Sequence, residues 1–448
     1  MNVELIGCEP SGGPLEIVIG PGTAPSLEVK GYKERALVSA SGPVCRGEFV
    51  RRVAEYAAAG EELRWGLGDV HVLDAAELSR GRVGVVFAQN GATKFKILSL
   101  VDGALALGNT LILVEDEAME AARVIELPDD RAMVIYNRDA AGMAAVIALD
   151  GRTASLAYTD IWDDRDPENL CACRMDGDRV VLSGMRQSPG EMGEAWVILA
   201  TVGADRLTLG TAVRVDGGND VDVYAGGWSL CRASPSSAVL CFPQALDKPI
   251  GFAVLDVDLS DDTGRGLIVR CVGYGKYAAS LPSIAAVGLE GGRWAMAYGV
   301  GWLSPDKKVL KSTLALEVWG LTRYAVELMW YGCEDTRYDT SIGAVGMEPN
   351  GVGLVCSYTG DNEGRCILLG MLEGPSPGPA VSAGVHNGFC RVIPISVQKA
   401  LLVTQRSGNG YVCVMEAVER VVPTDVMAHG LALSGGGPGE EITAAMMQ

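Results

Sequence analysis

A short pattern recurs along this chain and constrains its fold more than any other feature. In each copy, two residues suited to a tight turn lead into an apolar segment that ends in a small or aromatic residue. The copies are DRAMVIY (Asp130–Tyr136), GRVGVVF (Gly81–Phe87), DRVVLSG (Asp178–Gly184), SSAVLCF (Ser236–Phe242), GRWAMAY (Gly292–Tyr298), NGVGLVC (Asn350–Cys356) and QKALLVT (Gln398–Thr404).

The spacing of these copies indicates a repeat architecture. Their start positions are 49, 48, 58, 56, 58 and 48 residues apart, and the intervening sequence carries further short strand patterns. A period near fifty residues that contains only strands is typical of the blades of a β-propeller. The apolar run in each copy predicts a second strand that is buried on both faces.

Each repeat supports four antiparallel strands, with the recurring pattern as the second. We therefore predict an all-β fold, a seven-bladed β-propeller over residues 80–423, with a small N-terminal domain over residues 1–79 and a short C-terminal β tail over residues 424–448. A blade alone cannot bury both faces of its sheet, so neighbouring blades supply the core. A closed ring must also join its last blade to its first, and a strand from the N-terminal segment is one candidate.

Residues 1–79 lack the repeat and are interpreted as an attachment domain. The segments Leu15–Gly20, Ser26–Tyr32 and Ala36–Ser41 predict strands. The apolar residues of Glu48–Leu63 follow helical spacing, with Gly60 as a possible C-cap, although a pair of strands also fits this stretch. These apolar residues are Phe49, Val50, Val53, Tyr56 and Ala57.

Composition excludes several classes of function. The net charge of −19 disfavours binding to nucleic acid, and no apolar run reaches the roughly 18 residues of a membrane helix. The twelve cysteines form no CxxC pair and the N-terminal sequence resembles no secretory signal, so we expect free thiols and folding in a reducing cytoplasm. The three histidines are scattered, and the sequence predicts no metal and no cofactor.

Candidate ligand-binding residues lie in loops at one end of the predicted propeller. Antiparallel geometry brings the turns between second and third strands to the same end as the connections between blades. The connection Thr159–Asn169 is rich in carboxylates around a tryptophan, and two further tryptophans map nearby. The predicted site comprises Trp162, Asp163, Asp164, Asp166, Trp228 and Trp302, and we expect the loop face around Trp162, Asp164, Trp228 and Trp302 to point outward.

These residues have three other interpretations. The acidic stretch could be a solvated turn, or a weak Ca²⁺ site that lacks the EF-hand spacing. The tryptophans could pack between blades instead of holding a sugar.

A propeller glycosidase is the alternative to a non-enzymatic role, because such enzymes place carboxylate pairs across the central channel. The chain contains no Gly-x-Ser-x-Gly, HExxH or phosphate-loop motif, so we predict that it is not an enzyme.

The end of the chain resembles a pattern found in structural proteins of tailed bacteriophages. Gly430, Leu431, Ala432, Gly439, Glu440 and Ile442 carry this resemblance within His429–Met446. In such proteins the segment follows propeller-like repeats whose second strands resemble DRAMVIY and GRWAMAY.

The resemblance implies a virion component of the tail-fibre or head-fibre type, assembled in the host cytoplasm. Its partners would be other virion proteins, further copies of itself in a homo-oligomer, and a cell-surface glycan bound by the displayed propeller.

Overall fold

A computed structural model gives the fold of the chain. It describes residues 17–19, 27–29, 32–39, 50–79, 81–186, 193–215, 227–244, 249–258, 266–278, 284–289, 291–303, 309–322, 326–335, 340–347, 351–360, 363–370, 376–385, 389–395, 399–423, 430–432, 435 and 441–447. The regular elements of these residues are all strands. None of the described segments forms a helix that could cross a membrane.

Four strands precede the first blade: β1 (Ile17–Ile19), β2 (Leu27–Val29), β3 (Tyr32–Ser39) and β4 (Val50–Gly66). The first blade contains β5 (His71–Leu78), β6 (Arg82–Gln89), β7 (Ala92–Val101) and β8 (Ala104–Val114). The second contains β9 (Ala122–Leu127), β10 (Arg131–Arg138), β11 (Ala141–Asp150) and β12 (Thr153–Asp163). The third contains β13 (Glu168–Arg174), β14 (Arg179–Arg186), β15 (Glu194–Val202), β16 (Leu207–Leu209) and β17 (Val213–Arg214).

The fourth blade contains β18 (Ser229–Ser234), β19 (Ser237–Phe242), β20 (Pro249–Val257) and β21 (Leu267–Ala278). The fifth contains β22 (Ile284–Leu289), β23 (Arg293–Leu303), β24 (Val309–Leu321) and β25 (Val326–Asp335). The sixth contains β26 (Thr340–Met347), β27 (Gly351–Gly360), β28 (Glu363–Gly370) and β29 (Ser376–Val385). The seventh contains β30 (Cys390–Pro394), β31 (Lys399–Arg406) and β32 (Asn409–Pro423), and the chain continues with β33 (Gly430–Ala432) and β34 (Glu441–Met447).

The repeat in the sequence corresponds to the second strand of each blade. The strands β6, β10, β14, β19, β23, β27 and β31 coincide with the seven copies, and each lies between the first and third strands of its sheet. The seven-bladed all-β propeller is therefore confirmed.

The second strands are buried on both faces because alternate residues pack against different neighbouring blades. In β10, Ala132, Val134 and Tyr136 belong to a core cluster shared with the first blade. Met133 and Ile135 belong to a cluster shared with the third blade. The hydrophobic core thus lies between blades, and each blade is covered by its neighbours.

The helix predicted over residues 48–63 is wrong. Its first two residues lie outside the described part of the chain, and the remainder belongs to β4, which pairs with β32. The burial of residues 62–65 alternates: Glu62 and Arg64 are exposed, Leu63 is half-buried and Trp65 is buried. Pairing with a strand distant in sequence outweighs the helical spacing, because β32 would otherwise present an open edge.

Closure of the ring depends on β4, which supplies the fourth strand of the seventh blade. The indole Nε1 of Trp65 donates to the carbonyl oxygen of Tyr411 over 3.1 Å. Just beyond β4, the backbone N–H of Val70 donates to the carbonyl oxygen of Gly408 over 2.9 Å. Trp65 also packs edge-on against Phe87 of the first blade, with 5.1 Å between ring centroids. The N-terminal segment therefore joins the last blade to the first.

The chain divides into two compact units whose limits differ from the predicted domain boundaries. One unit comprises Ala58–Ser376 and Ala380–Glu416, and the other comprises Met1–Ala57, Pro377–Pro379 and Ala417–Gln448. The predicted boundary after residue 79 also follows β5, which is already the first strand of the first blade.

Segments from both ends of the sequence pair within the second of these units, here called the terminal unit. β3 pairs antiparallel with β34, from Tyr32 opposite Met447 to Val38 opposite Glu441. β34 also pairs antiparallel with β33, which places Ala432 directly opposite Ala444. Both alanines are buried. Strands of the predicted N-terminal domain and of the predicted C-terminal β tail therefore form a shared sheet.

Candidate functional site

The predicted loop site begins with Trp162, whose indole is part of the core. Trp162 is 2% exposed and belongs to the cluster between the second and third blades. It lies over Gly142, where an added Cβ would approach the indole to 2.7 Å, and over Gly184. The expectation of an exposed ring is wrong, because these glycines leave a slot that the indole fills.

The carboxylates that follow Trp162 divide into a buried group and an exposed group. Asp163 is 5% exposed and forms an ion pair with Nη2 of Arg186 at 2.8 Å. Asp164 is exposed and lies 3.8 Å from Nε of Arg165, and Asp166 is also exposed. Asp163 thus anchors the turn, while the other two are solvated. Among the described residues, no cluster of His, Cys, Asp or Glu is arranged to hold a metal ion.

The other two predicted tryptophans do not join Trp162 in one site. Trp228 is 3% exposed and packs against Phe242 in the cluster of the third and fourth blades, so the expectation of an exposed ring is wrong here too. Trp302 lies in β23 opposite Lys311, and its side chain is outside the described part. The expected clustering of loops is seen in the second blade, where Asn137 donates to the carbonyl oxygen of Pro167.

A cavity of about 430 Å³ lies instead in the central channel, where the first strands of the blades converge. One level of its wall is here called the Glu77 layer. Each member pairs, across its own sheet, with a residue at the same position of the second strand of its blade. They are Glu77, Glu126, Arg174, Arg232, Gly288 and Pro394. The layer is acidic in the first two blades and basic in the next two, and it lacks polar side chains in the fifth and seventh.

Contacts within the Glu77 layer connect its acidic and basic sectors. Nη1 of Arg174 donates to Oε2 of Glu126 over 3.3 Å, and both side chains are about one-third exposed. A Cβ at Gly288 would overlap the carbonyl oxygen of Arg232. The fifth blade therefore approaches the fourth too closely for a side chain at this position, which leaves this part of the wall smooth.

The carboxyl group of Glu77 has a pKa close to physiological pH. Burial against the channel wall, together with the charge of Glu126, raises the pKa of Glu77 to about 7. Water still reaches the carboxyl group, since Glu77 is classed as exposed by its surface area. Glu77 therefore changes its charge near neutrality.

A second level of the wall, here called the Asp74 layer, lies three residues nearer the start of each first strand. Its members are Asp74, Arg123, Cys171, Ser229, Ala285 and Arg391. Nη1 of Arg391 donates to Asp74 and, over 3.1 Å, to the carbonyl oxygen of Ala75, which ties the seventh blade to the first. Oδ2 of Asp74 also accepts from the backbone N–H of Val124 over 2.8 Å. This layer is mainly a structural connection between blades.

The charged residues of the channel were missed because the sequence search looked for local motifs. Glu126, Arg174 and Arg232 stand at equivalent positions of successive first strands, about fifty residues apart, so no short segment contains two of them. Aligning the first strands by the second-strand repeat would have placed them in one ring.

Comparisons with known proteins find only distant structural similarity. No protein-family model matches the chain, and no curated protein matches it. Among solved structures, a fucose-specific lectin from Aleuria aurantia is similar at 13% identity over 73% of this chain and 100% of the lectin, with a TM-score of 0.44. The WD40 domain of Toxoplasma gondii coronin is similar at 12% identity over 87% of this chain and 90% of that chain, with a TM-score of 0.48. A polysaccharide lyase described as an ulvan lyase is similar at 9% identity over 81% and 98% of the two chains, with a TM-score of 0.48.

Proposed function

We propose that this protein is a non-catalytic structural and adhesion component of a tailed-bacteriophage particle. The terminal unit attaches it to the particle, and the propeller is displayed towards the host surface. The observation that carries the proposal is the antiparallel pairing of β3 with β34, from Tyr32 opposite Met447 to Val38 opposite Glu441. This pairing makes an attachment module from the segments outside the repeat. The blades are less suited to attachment, because their faces are covered by neighbouring blades.

The segment with the phage-like pattern belongs to the same module. Gly430, Leu431 and Ala432 form β33, and Ile442 lies in β34, where it opposes Leu37 of β3. Four of the six residues that carry the resemblance therefore lie in strands of the terminal unit, and Gly439 and Glu440 lie outside the described residues. The expected partners are other virion proteins, further copies of the chain and a host-surface glycan, with assembly in the host cytoplasm.

Particle incorporation tests this proposal directly. Particles are prepared by complementing a phage that lacks the gene with an epitope-tagged full-length chain, then banded by density and probed with an antibody to the tag. The tagged chain should band with the particles. Removal of residues 430–447 should abolish incorporation while the cooperative unfolding of the propeller persists.

The matched control is Asp164→Ala, because Asp164 is exposed on a blade connection. This variant should band like the unmodified chain. A tagged chain that is absent from purified particles, or a truncated chain that is incorporated normally, would contradict the attachment role.

A propeller glycosidase is the second candidate, and one observation favours it. Glu77 and Glu126 lie in adjacent blades at the same level of the channel, and the pKa of Glu77 is raised to about 7, as a general acid requires. The ion pair between Glu126 and Arg174 holds the second carboxylate in a structural contact. Hydrolysis of aryl glycosides by the unmodified chain, lost in Glu77→Gln, would establish this alternative. The particle proposal expects no hydrolysis by the unmodified chain or by the variant.

A further inference from the structure

We propose that the central channel binds a small organic anion, whose carboxylate, sulfate or phosphate group is held by the guanidinium groups of Arg174 and Arg232. This site and ligand class go beyond attachment to a particle and do not depend on it. The inference rests on the orientation of the two arginines, the charge of the channel wall and the volume of the cavity.

Both arginines are held by their Nε atoms, which leaves terminal nitrogens directed to other partners. Nε of Arg174 donates to the carbonyl oxygen of Gly177 over 3.3 Å, and Nε of Arg232 donates to that of Ser234 over 3.3 Å. Within the described part of the chain, the terminal nitrogens of Arg232 make no hydrogen bond or ion pair. The Arg232 guanidinium therefore presents a planar pair of donors, the geometry that suits a carboxylate, sulfate or phosphate group. Arg174 adds its Nη2, since its Nη1 donates to Glu126.

The channel has a local excess of positive charge in a strongly acidic protein. The wall contains four arginines and three acidic side chains. Asp74 is paired with Arg391 and Glu126 with Arg174, which leaves Arg123 and Arg232 against Glu77. An anion therefore gains attraction within the channel. The chain as a whole carries a net charge of −19, which repels a long polyanion, so a small ligand is favoured over a nucleic acid.

The volume of the cavity and the uncharged part of its wall define the rest of the ligand. A cavity of about 430 Å³ has the size typical of small-molecule sites. Beyond the arginines, the fifth and seventh blades contribute small or apolar groups to the wall, including Ala286, Gly288 and Pro394, and Gly288 lies directly beside Arg232. We therefore expect one anionic group on a compact body, as in an acidic sugar, with the body against this smooth wall.

Binding is measured by isothermal titration calorimetry with the purified full-length chain. The probes are glucuronate, glucose 6-sulfate, inorganic sulfate and inorganic phosphate, with glucose as the neutral comparison. Glucuronate or glucose 6-sulfate should bind saturably and glucose should not. Binding of the sugar acids alone would identify an acidic sugar, and equal binding of the inorganic ions would identify the oxyanion itself as the recognised group.

Substitutions test whether the arginines hold the ligand. Arg232→Ala should weaken binding by about tenfold or more, because it removes charge-assisted hydrogen bonds, and Arg232→Lys should weaken it less. Arg152→Ala is the matched control, since Arg152 is exposed in the turn before β12 and outside the channel. Unchanged urea midpoints would show that each variant remains folded.

Three results would overturn the proposal: no saturable binding of any anion, equal binding of glucose, or unchanged affinity in Arg232→Ala. Because the titration uses purified protein, its outcome is separate from incorporation into particles. A chain that enters particles and binds no anion would refute this inference alone.

Discussion

Arg82 of the first blade reaches Asp130 of the second blade, with Nη2 and Oδ1 2.5 Å apart. The same guanidinium donates through Nε to the carbonyl oxygen of Ser79 over 2.8 Å and through Nη1 to that of Gly151 over 3.1 Å. Arg82 is 5% exposed. One arginine thus connects the turn of its own blade to two turns of the next.

The contact repeats one blade further along the chain. Nη2 of Arg131 lies 2.5 Å from Oδ1 of Asp178. Its Nε and Nη1 donate to the carbonyl oxygens of Pro128 and Gly203. The Asp-Arg dipeptide of the repeat therefore has two roles: the aspartate accepts from the preceding blade, and the arginine donates to the following one.

Breaking the first of these contacts should destabilise the propeller. Arg82→Ala is expected to lower the free energy of unfolding by about 3 kcal/mol, because it removes a buried guanidinium that donates to two carbonyl groups and forms an ion pair with the partly buried carboxylate of Asp130. Urea unfolding followed by tryptophan fluorescence measures the change. Arg152→Ala, at an exposed position, should stay within about 0.5 kcal/mol of the unmodified chain. Equal midpoints for the two variants would refute a stabilising role for the contact.

Substitution of Trp162 should have a large effect on stability. Trp162→Ala is expected to cost about 3–5 kcal/mol, since the indole fills a buried slot between two blades. Gly142→Ala should cost about 1–3 kcal/mol, because its Cβ would press on the same ring. Asp164→Ala is the control in the same connection. A change of only a few tenths of a kcal/mol in Trp162→Ala would instead support the exposed ring inferred from the sequence.

The stability of the fold should depend on pH through Glu77. The pKa is about 7 in the folded chain against an ordinary value of 4.5, so the folded state favours the protonated carboxyl. The contribution is fully present below pH 4.5 and is lost as pH rises to about 7. The effect is expected to be modest because water reaches the carboxyl group.

A comparison with Glu77→Gln isolates this contribution from other titrations. The charged and titratable groups that line the same cavity are Asp74, Arg123, Glu126, Cys171, Cys173, Arg174, Cys231, Arg232 and Arg391. Urea midpoints of the two proteins should diverge as pH rises, with the unmodified chain losing more stability. Parallel pH profiles would show that Glu77 titrates normally.

The cysteines should be unpaired and mostly unreactive in the folded protein. Cys171, Cys173, Cys231, Cys241, Cys271 and Cys413 are free thiols in the described part of the chain. Burial raises the pKa of Cys171 to about 11 and of Cys231 to about 12, so little thiolate forms near neutrality. Cys271 and Cys413 are both half-buried, and burial raises the pKa of Cys413 to about 11, so Cys271 should be alkylated first among these six. Mass spectrometry after unfolding without reductant should find all twelve cysteines of the sequence modified, and a native disulfide would contradict the prediction.

The sequence predicted the blades well because each second strand is specified locally. The turn residues before Arg131 and the apolar run that follows occupy adjacent positions, so the pattern can be recognised without knowledge of its partners. The strand β4 could not be assigned in the same way. Its pairing partner β32 begins at Asn409, more than three hundred residues away, and local spacing alone favoured a helix.

The candidate site shows the same division between local and distant information. The tryptophans of the predicted loop site were recognised, but their burial depends on residues of other strands, such as Gly184 below Trp162. The charged residues of the channel, in contrast, could not be recognised from the local sequence. Arg174 and Arg232 are unremarkable in their own strands and become a pair only when neighbouring blades are placed side by side.

Ring closure by β4 has a consequence for synthesis on the ribosome. The donor Trp65 and its acceptor Tyr411 are 346 residues apart, so β4 leaves the ribosome long before the strand that it completes. At about 5–20 residues per second, that interval lasts roughly 17–70 s. Throughout it, the backbone edge of β4 that pairs with β32 lacks its native partner. The nascent chain is therefore most prone to aggregation during elongation, and a chaperone that shields this N-terminal strand would raise the yield of closed propeller.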